Sequence, residues 1–361
     1  MNMVTKHPKH PDDITTEWLT SILKQLRVIG SSSVKSIKKE ILAVGKSWLS
    51  TIVKVEVEYE PPEENAPKSF VIKLLSESRM FRDFSYELQA FDREIKFYKE
   101  LADQIPIRLP KLHYSDNGDH CNLMLMEDLT YLTPGDQVVG MKHEQVLTTL
   151  ESLAKVHGAY WQNPILDTLE WMPTTNNIES DYNENWDSFV ELCSYFVDPS
   201  GLEIGEKLRP HISWLFQEIA LRPKTLTHDD MKEDNLLFGK PGTDEAVILL
   251  DWQFAIQSMG AMDVARLIGG SELPSERESR QFEALRHWYD RLLQEGVKNY
   301  SWTEAQRDFR LGALSCLTFP VHFHKGIVRA EGRALEYVIA MYSRLFSFVV
   351  EIDAESVLLK S

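Results

Sequence analysis

The sequence predicts an α+β protein made of two units, and three observations support this prediction. Between Thr51 and Met126, two strand patterns, a helical pattern and a third strand pattern follow one another. Beyond Leu129 the apolar residues recur mostly at helical spacing. Within that helical half, two short apolar segments at 236–238 and 246–250 flank a turn rich in Gly, Pro and Asp, which predicts a β-hairpin.

The N-terminal unit is placed at residues 1–129, and each of its elements has its own pattern. Helix-capping residues precede Trp18, after which apolar residues recur at helical spacing, so we expect an opening amphipathic helix. Residues 51–59 alternate between apolar and charged side chains, which predicts a half-buried strand paired with a second strand at 69–75. A helix is predicted at 84–101 and an apolar strand at 121–126.

The C-terminal unit is placed at residues 130–361 and begins with a linker around Pro134. Apolar periodicity predicts helices at 144–161, 185–221, 276–295, 303–316 and 334–350. The hairpin described above is the exception to this helical composition. A chain of 361 residues has the length for two or three domains of about 100–200 residues each.

Composition restricts the class of protein. A net charge of -16 disfavours nucleic-acid and anionic-membrane partners, which need clustered Lys and Arg. The three cysteines are widely spaced, which is typical of reduced buried thiols and not of a disulfide framework or a zinc site. The sequence has no recognisable secretory signal, and no apolar run approaches the ~18 residues that would span a bilayer. We therefore expect a soluble cytoplasmic protein.

The residues that carry chemistry flank the predicted hairpin. His228, Asp230 and Asn235 precede its first strand, and Asp251 follows its second. Because a hairpin brings its outer ends together, these polar side chains can converge at one edge. One carboxylate to orient a hydroxyl, with an amide oxygen and a second carboxylate to hold a metal, is what phosphoryl transfer from Mg-ATP requires.

These residues resemble a known motif. The pattern His228-x-Asp230-x-x-x-x-Asn235 with Asp251 is similar to that of the aminoglycoside phosphotransferase and choline kinase-like superfamily, relatives of the protein kinases. Within it, the chain looks most like the ecdysteroid-kinase-like (CHK kinase-like) branch over about residues 40–330. The resemblance implies a bilobal kinase fold with ATP between the lobes. The small N-lobe would hold an antiparallel sheet and one main helix, and the larger, mostly helical C-lobe would hold the catalytic hairpin.

The resemblance also implies roles for individual residues. Asp230 would be the catalytic base or hydroxyl-orienting group, and Asn235 and Asp251 would be the Mg²⁺ ligands. His228 and Asp263 would brace the catalytic segment. The family often has Gly where this chain has Asp229, an extra carboxylate that is either a solvated loop charge or a group that raises a neighbouring pKa or contacts a cationic group.

In the N-lobe the resemblance points to nucleotide-binding residues. Lys73 is an isolated charge in an apolar strand and would bind the ATP phosphates, although such a Lys can also point to solvent from an edge strand. Its partner would be Glu94, with Glu87 as the competing choice. Ser47 would contact the phosphates from the turn at 43–50. That turn is not a P-loop, because Glu40 stands where the motif needs Gly.

The adenine would be read at the end of the apolar strand. Backbone groups near Glu127 and Leu129 would form the hinge that contacts its edge.

Three histidines are set apart from the motif. His322 and His324 would lie on one side of a strand and allow a metal pair, although packing or substrate contact is favoured. His157 is interpreted as a core histidine with its hydrogen bonds satisfied.

The function expected from these residues is ATP- and Mg²⁺-dependent transfer of the γ-phosphoryl group to a hydroxyl of a small molecule. An alternative is a nucleotide-binding pseudokinase with a regulatory role, and retention of Lys73, Asp230, Asn235 and Asp251 counts against it. A protein kinase is disfavoured because no Ala-Pro-Glu follows Asp251-Trp252-Gln253. The acceptor and the oligomeric state are left open.

Overall fold

The computed structural model describes residues 7–43, 48–118, 122–176 and 179–360. The chain divides into two compact units. The N-terminal unit comprises Met1–Asp103 and Leu109–Leu132, and the C-terminal unit comprises Gln104–Arg108 and Thr133–Ser361. The α+β class is confirmed, since one unit is built on an antiparallel sheet and the other mostly on helices.

The N-terminal unit is built on five strands in the order β1-β2-β3-β5-β4. Its elements are α1 (Thr16–Gln25), β1 (Ser33–Leu42), β2 (Ser50–Glu60), β3 (Ser69–Leu75), α2 (Arg79–Glu87), α3 (Ala90–Glu100), β4 (Leu112–Asp116) and β5 (Leu123–Glu127). Helix α1 covers one face of the sheet, because Trp18 and Leu19 share a buried cluster with Phe70 and Ile72 of β3. Alternation along β3 therefore places Lys73 on the opposite face.

Three details of this unit differ from the sequence-based predictions. Strand β1 has no apolar alternation, because Val34 is its one buried residue, and this explains why no strand is predicted there. The single helix predicted at 84–101 is two helices, since Gln89 adopts a left-handed conformation with φ of 51° between α2 and α3. The strand predicted at 121–126 is observed at 123–127, and Cys121 lies outside the described residues.

The C-terminal unit is mostly helical and carries two small antiparallel sheets, β6-β8-β9 and β7-β10. Its helices are α4 (His143–Tyr160), α5 (Tyr182–Cys193), α6 (Pro199–Leu208), α7 (Ile212–Ala220), α8 (Ala261–Ser271), α9 (Pro274–Arg277), α10 (Gln281–Gln294), α11 (Trp302–Cys316), α12 (Thr318–Phe323) and α13 (Arg333–Glu351). Its strands are β6 (Thr133–Pro134), β7 (Thr225–Thr227), β8 (Leu236–Phe238), β9 (Val247–Leu249) and β10 (Ile256–Ser258).

The predicted helical stretches are present here, with two subdivisions. The stretch predicted at 185–221 is three helices, because Pro199 opens α6 and Pro210 lies in the short 3-10 turn before α7. The helix predicted at 276–295 is divided into α9 and α10. Cys193 and Cys316 are free and buried, as expected of reduced thiols. Across the described ranges, no helix is both long and apolar enough to cross a bilayer.

Candidate active site

The hairpin of the C-terminal unit brings the ends of its two strands together. Strands β8 and β9 pair antiparallel with Leu236 opposite Leu249, and Leu250 N–H donates to the carbonyl of Asn235 at 2.9 Å. Asn235 and Asp251 therefore lie at the same end of the hairpin. Strand β10 returns to pair with β7, which precedes the loop at 228–235. The pairing of β7 with β10 therefore holds the start and the end of the segment at 228–255 side by side.

Asp230 is held by three donors within this loop region. Its Oδ2 lies 2.6 Å from Lys232 Nζ and accepts from Asn235 Nδ2 at 3.1 Å, while Oδ1 lies 3.2 Å from an Arg266 guanidinium nitrogen. The residue is 3% exposed. Burial alone would raise the pKa of this carboxyl, but the charges of Lys232 and Arg266 outweigh burial and leave the pKa below its usual value. Asp230 is therefore ionised at neutral pH.

Asn235 and Asp251, the residues expected to hold a magnesium ion, lie at the same end of the hairpin. The Asn235 amide nitrogen donates to both the carbonyl and the carboxylate of Asp230, which leaves Oδ1 as the amide's acceptor atom. Asp251 adopts a left-handed conformation with φ of 66°, a strained geometry that is common in binding sites. Within the described ranges, no group of three or more His, Cys, Asp or Glu residues forms a metal cage. Two hard oxygen donors suit Mg²⁺, which takes its other ligands from water and phosphate.

Asp263 at the start of α8 fixes the loop from behind. It is fully buried, and its carboxylate accepts the backbone N–H groups of His228 at 2.7 Å and Asp229 at 2.8 Å. His157 of α4 contacts the same carboxylate at 3.2 Å through Nε2 and accepts from Trp288 at Nδ1. The prediction that His157 is a core histidine with satisfied hydrogen bonds is confirmed.

His228 connects the loop to the far strand of the hairpin. Its Nδ1 accepts from the N–H of Asp230, so the proton on the neutral ring belongs to Nε2, which donates to the carbonyl of Leu250 at 2.7 Å. The ring also packs against Trp252 with centroids 4.8 Å apart. These contacts tie the loop to the segment that carries Asp251.

Asp229 differs from Asp230 in its backbone conformation, its hydrogen-bond partner and the direction of its pKa shift. Its backbone is left-handed with φ of 60°, a conformation that glycine adopts without strain. Its Oδ2 accepts from Asn176 Nδ2 at 2.6 Å, and its side chain lines a cavity that the side chain of Asp230 does not reach. Burial and the nearby Asp263 raise the pKa of Asp229 to about 7. Of the two readings left open, partial burial and the hydrogen bond to Asn176 count against a freely solvated loop charge.

In the N-terminal unit, Lys73 and Glu94 form a buried ion pair. The Lys73 ammonium lies 2.5 Å from the Glu94 carboxylate, and the two residues are 5% and 2% exposed. Strand β3 lies between β2 and β5, so the alternative of an edge strand facing solvent is wrong. Glu87, the competing partner, is exposed at the end of α2. The question of which glutamate pairs with Lys73 is thus answered in favour of Glu94.

The remaining predicted nucleotide-binding residues are less closely defined. Glu127 ends β5, and its carboxylate accepts the N–H of Lys111 at 3.0 Å. Leu129 is buried two residues later. Ser47 lies outside the described residues. The roles of all three in nucleotide binding stay predictions.

The histidine pair at 322 and 324 does not have the geometry expected of a strand. His322 belongs to helix α12, and His324 begins a 3-10 turn. His322 contacts Asp181 at 3.0 Å, whereas His324 contacts Ser188 at 2.6 Å. The two rings therefore serve separate partners, and the metal pair is not supported.

Two cations that hold Asp230 were missed in the sequence. Lys232 lies two residues after Asp230 in the loop, and Arg266 lies one helical turn after Asp263 in α8. Lys232 had a local signal, because an opposite charge two residues from a carboxylate is near enough in the chain to reach it. The bond from Arg266 spans 36 positions and had no such signal.

Comparison with known proteins gives one family and several similar folds. The model of the ecdysteroid kinase-like family matches residues 44–300. Among solved structures, Plasmodium vivax ethanolamine kinase has a TM-score of 0.55 and 13% identity, with coverage of 97% of this chain and 92% of that one. A mutant of aminoglycoside 2′-phosphotransferase-IIIa in complex with GDP has a TM-score of 0.50 and 14% identity, with coverage of 96% and 99%. A search of curated proteins found no match.

These findings bear on the resemblance inferred from the motif. The two solved structures support the kinase-like α+β fold, and their low identity limits the comparison to the fold. The family match includes Lys73, Glu94, the loop at 228–235 and Asp251. Since it extends over more than half of the chain, the resemblance to this branch is confirmed. The protein is a member of the ecdysteroid kinase-like family.

Proposed function

We propose that the protein transfers the γ-phosphoryl group of ATP to a hydroxyl group of a small molecule. The observation that carries the proposal is the state of Asp230, a buried carboxylate kept ionised by Lys232 and Arg266 beside the amide of Asn235. An ionised carboxylate can accept a hydrogen bond from the hydroxyl group that receives the phosphate. This hydrogen bond orients the hydroxyl oxygen for attack on the γ-phosphoryl group. A neutral carboxyl would lack the negative charge that strengthens this hydrogen bond and would present an O–H donor in place of one acceptor.

Each residue of the loop region has a part in this proposal. Asp230 orients the hydroxyl, and Asn235 with Asp251 would hold Mg²⁺, which when bound neutralises charge on the phosphates. Lys232 and Arg266 position Asp230 and keep it ionised. His228 and Asp263 are bracing residues, because their hydrogen bonds fix the backbone from which Asp230 and Asp251 project.

For the N-terminal unit, we propose that Lys73 binds the nucleotide phosphates and that Glu94 positions its ammonium group. A lysine needs a fixed position for this role, and the 2.5 Å contact with a buried glutamate supplies it. The backbone near Glu127 and Leu129 would read the adenine edge, and Ser47 would contact the phosphates.

The proposal is tested by ATP consumption against a library of hydroxylated metabolites, with Asp230→Asn as the inactive variant. Magnesium-dependent consumption with at least one acceptor is expected for the native protein. Consumption should fall about 10²–10⁴-fold in Asp230→Asn, the usual contribution of a positioned acid or base. Nucleotide binding without consumption for any acceptor would favour the pseudokinase alternative.

The N-terminal assignment has its own test in a matched pair of variants. Glu94→Gln removes the charge that holds Lys73 and is expected to weaken ATP binding, as measured by titration calorimetry. Glu87→Gln makes the same chemical change at an exposed position and should leave ATP affinity unchanged. Equal effects of the two substitutions would contradict the role given to Glu94.

A further inference from the structure

A cavity of about 130 Å³ lies beside the loop at 228–235 in the C-terminal unit. Its apolar wall is formed by side chains from helices α7, α8 and α12, namely Phe216, Ile219, Met262 and Phe319. An apolar cavity of about 150 Å³ is large enough to hold benzene. The space therefore suits a small molecule with a body about the size of a six-membered ring.

Asp229 is the polar group that the loop presents to this cavity. Its Oδ2 is bound by Asn176, while its Oδ1 accepts no hydrogen bond from the described part of the chain. Asp263 fixes the direction of the side chain, because it binds the backbone N–H groups of both His228 and Asp229. A carboxylate oxygen thus faces the cavity with its acceptor capacity unused.

The charges around the cavity favour a cation. Arg266 lines it, but its guanidinium bonds to Asp230 and stacks on Phe319 at 4.1 Å, so its charge is shared between Asp229 and Asp230. The Asp263 carboxylate is already occupied by three donors. The other charged groups that line the cavity are the carboxylates of Asp229 and Glu179 and the ammonium group of Lys224.

The left-handed backbone of Asp229 is a second indication of function. Without a ligand, the protein bears the strain of the left-handed backbone at Asp229. It also bears the repulsion between the carboxylates of Asp229 and Asp263. A bound cation would relieve the electrostatic cost, because it stabilises the ionised form. Glu179, whose two carboxylate oxygens share the single hydroxyl proton of Thr175, is the competing anchor, and substitution of Glu179 distinguishes it from Asp229.

We propose that this cavity binds a small molecule that carries a protonated amine on an apolar body, and that Asp229 binds the amine. The ligand is either a phosphate acceptor or an effector that does not react, and both would share this chemistry. Binding does not depend on phosphoryl transfer. Asp230→Asn, which should abolish turnover, is expected to retain the amine site.

The test is titration calorimetry with two probes of matched shape, trans-4-aminocyclohexanol and cyclohexane-1,4-diol. The amine should bind at least about tenfold more tightly than the diol, as expected for a hydrogen bond between charged groups. Asp229→Asn should remove this preference, and Asn tolerates the left-handed backbone, so folding is retained. The same Asp to Asn change at exposed Asp244 is the control and should leave the preference intact.

Proton release distinguishes a direct contact from a structural effect. Because the pKa of Asp229 is raised to about 7, amine binding near neutral pH must expel a proton from part of the molecules. Titrations in buffers of different ionisation enthalpy should detect this release in the native protein and lose it in Asp229→Asn. The charged groups that set this pKa are Asp263, Arg266 and Asp230.

Four results would overturn the proposal. They are equal affinity for the two probes, no binding of the amine, an amine preference that survives Asp229→Asn, and loss of the preference in Glu179→Gln alone. If the site is present, ATP consumption separates the two kinds of ligand. Phosphorylation of trans-4-aminocyclohexanol, with cyclohexylamine as the hydroxyl-free control, would identify an acceptor, and binding without phosphorylation would identify an effector.

Discussion

Two adjacent carboxylates, those of Asp229 and Asp230, lie on different faces of the loop at 228–235, and their pKa values are shifted in opposite directions. On one face Asp230 is surrounded by Lys232, Arg266 and the Asn235 amide, and its pKa is lowered. On the other, the Asn176 amide is the one direct side-chain donor to Asp229 among the described residues, and the pKa of Asp229 is raised to about 7. The more deeply buried Asp230 has the lower pKa, so burial alone does not determine the state of the two carboxylates. The position of the cations separates a carboxylate suited to orienting a hydroxyl from one suited to binding a cation.

The largest stability effect is expected when the cation is removed from the Asp230 face. Arg266→Met leaves a buried carboxylate with one cation fewer and should destabilise the protein by about 3–5 kcal/mol. It should also raise the pKa of Asp230, so that the acid limb of any activity profile moves to higher pH. Chemical denaturation and a pH profile measure the two effects.

A matched arginine provides the control for that substitution. Arg79 forms an exposed ion pair with Asp83, and Arg79→Met should change stability little. If both methionine variants were equally stable, the compensation of Asp230 by Arg266 would be contradicted.

On the other face, Asp229→Asn should stabilise the protein, and more so at higher pH. A carboxyl whose pKa is raised by folding binds its proton more tightly in the native state, so native stability falls as pH rises from about 4 to about 7. The asparagine variant lacks this loss, which amounts to roughly 4 kcal/mol at most. Denaturation at about pH 5 and about pH 8 should show the difference between variant and native protein growing with pH. A difference that shrinks with pH would contradict the state assigned to Asp229.

A smaller effect is expected for Lys232→Met. The Lys232 side chain is 17% exposed and makes one charged hydrogen bond to Asp230, so its loss should cost about 1.5–3 kcal/mol. It should raise the pKa of Asp230 while Arg266 still holds the other oxygen. The acid limb of ATP consumption is therefore expected to move in the same direction as in Arg266→Met. An unchanged limb would show that Lys232 does not influence the carboxylate.

Local patterns were sufficient to predict the hairpin and the residues at its ends. The apolar segments at 236–238 and 247–249, with a turn between them, specify a pairing that depends only on nearby residues. The isolated charge of Lys73 in an apolar strand was equally visible. The choice of Glu94 over Glu87 required the structure, because the break at Gln89 places Glu87 on α2 and Glu94 on α3. Local signals thus predicted where the hairpin residues and Lys73 lie, and their roles in chemistry stay predictions.

The electrostatic state of the site depends on contacts distant in sequence, and these were not predictable. Arg266 reaches Asp230 across 36 positions, and Asn176 reaches Asp229 across 53. Strand β1 was missed because its side chains are mostly exposed and polar, so that pairing with β2 and not a core face determines its conformation. The cavity beside Asp229 draws on helices from several parts of the chain, and no single segment indicates it.

The proposed phosphoryl transfer depends most directly on the ionised state of Asp230 and on its role in orienting the acceptor hydroxyl. The decisive measurement is magnesium-dependent ATP consumption with an acceptor found by screening, compared among native protein, Asp230→Asn and Asp229→Asn, with ATP binding measured in parallel. Asp230→Asn is expected to lose about 10²–10⁴-fold in turnover while it retains ATP binding, whereas Asp229→Asn should retain turnover on an acceptor that carries no amine. Undiminished turnover in Asp230→Asn would contradict the central claim.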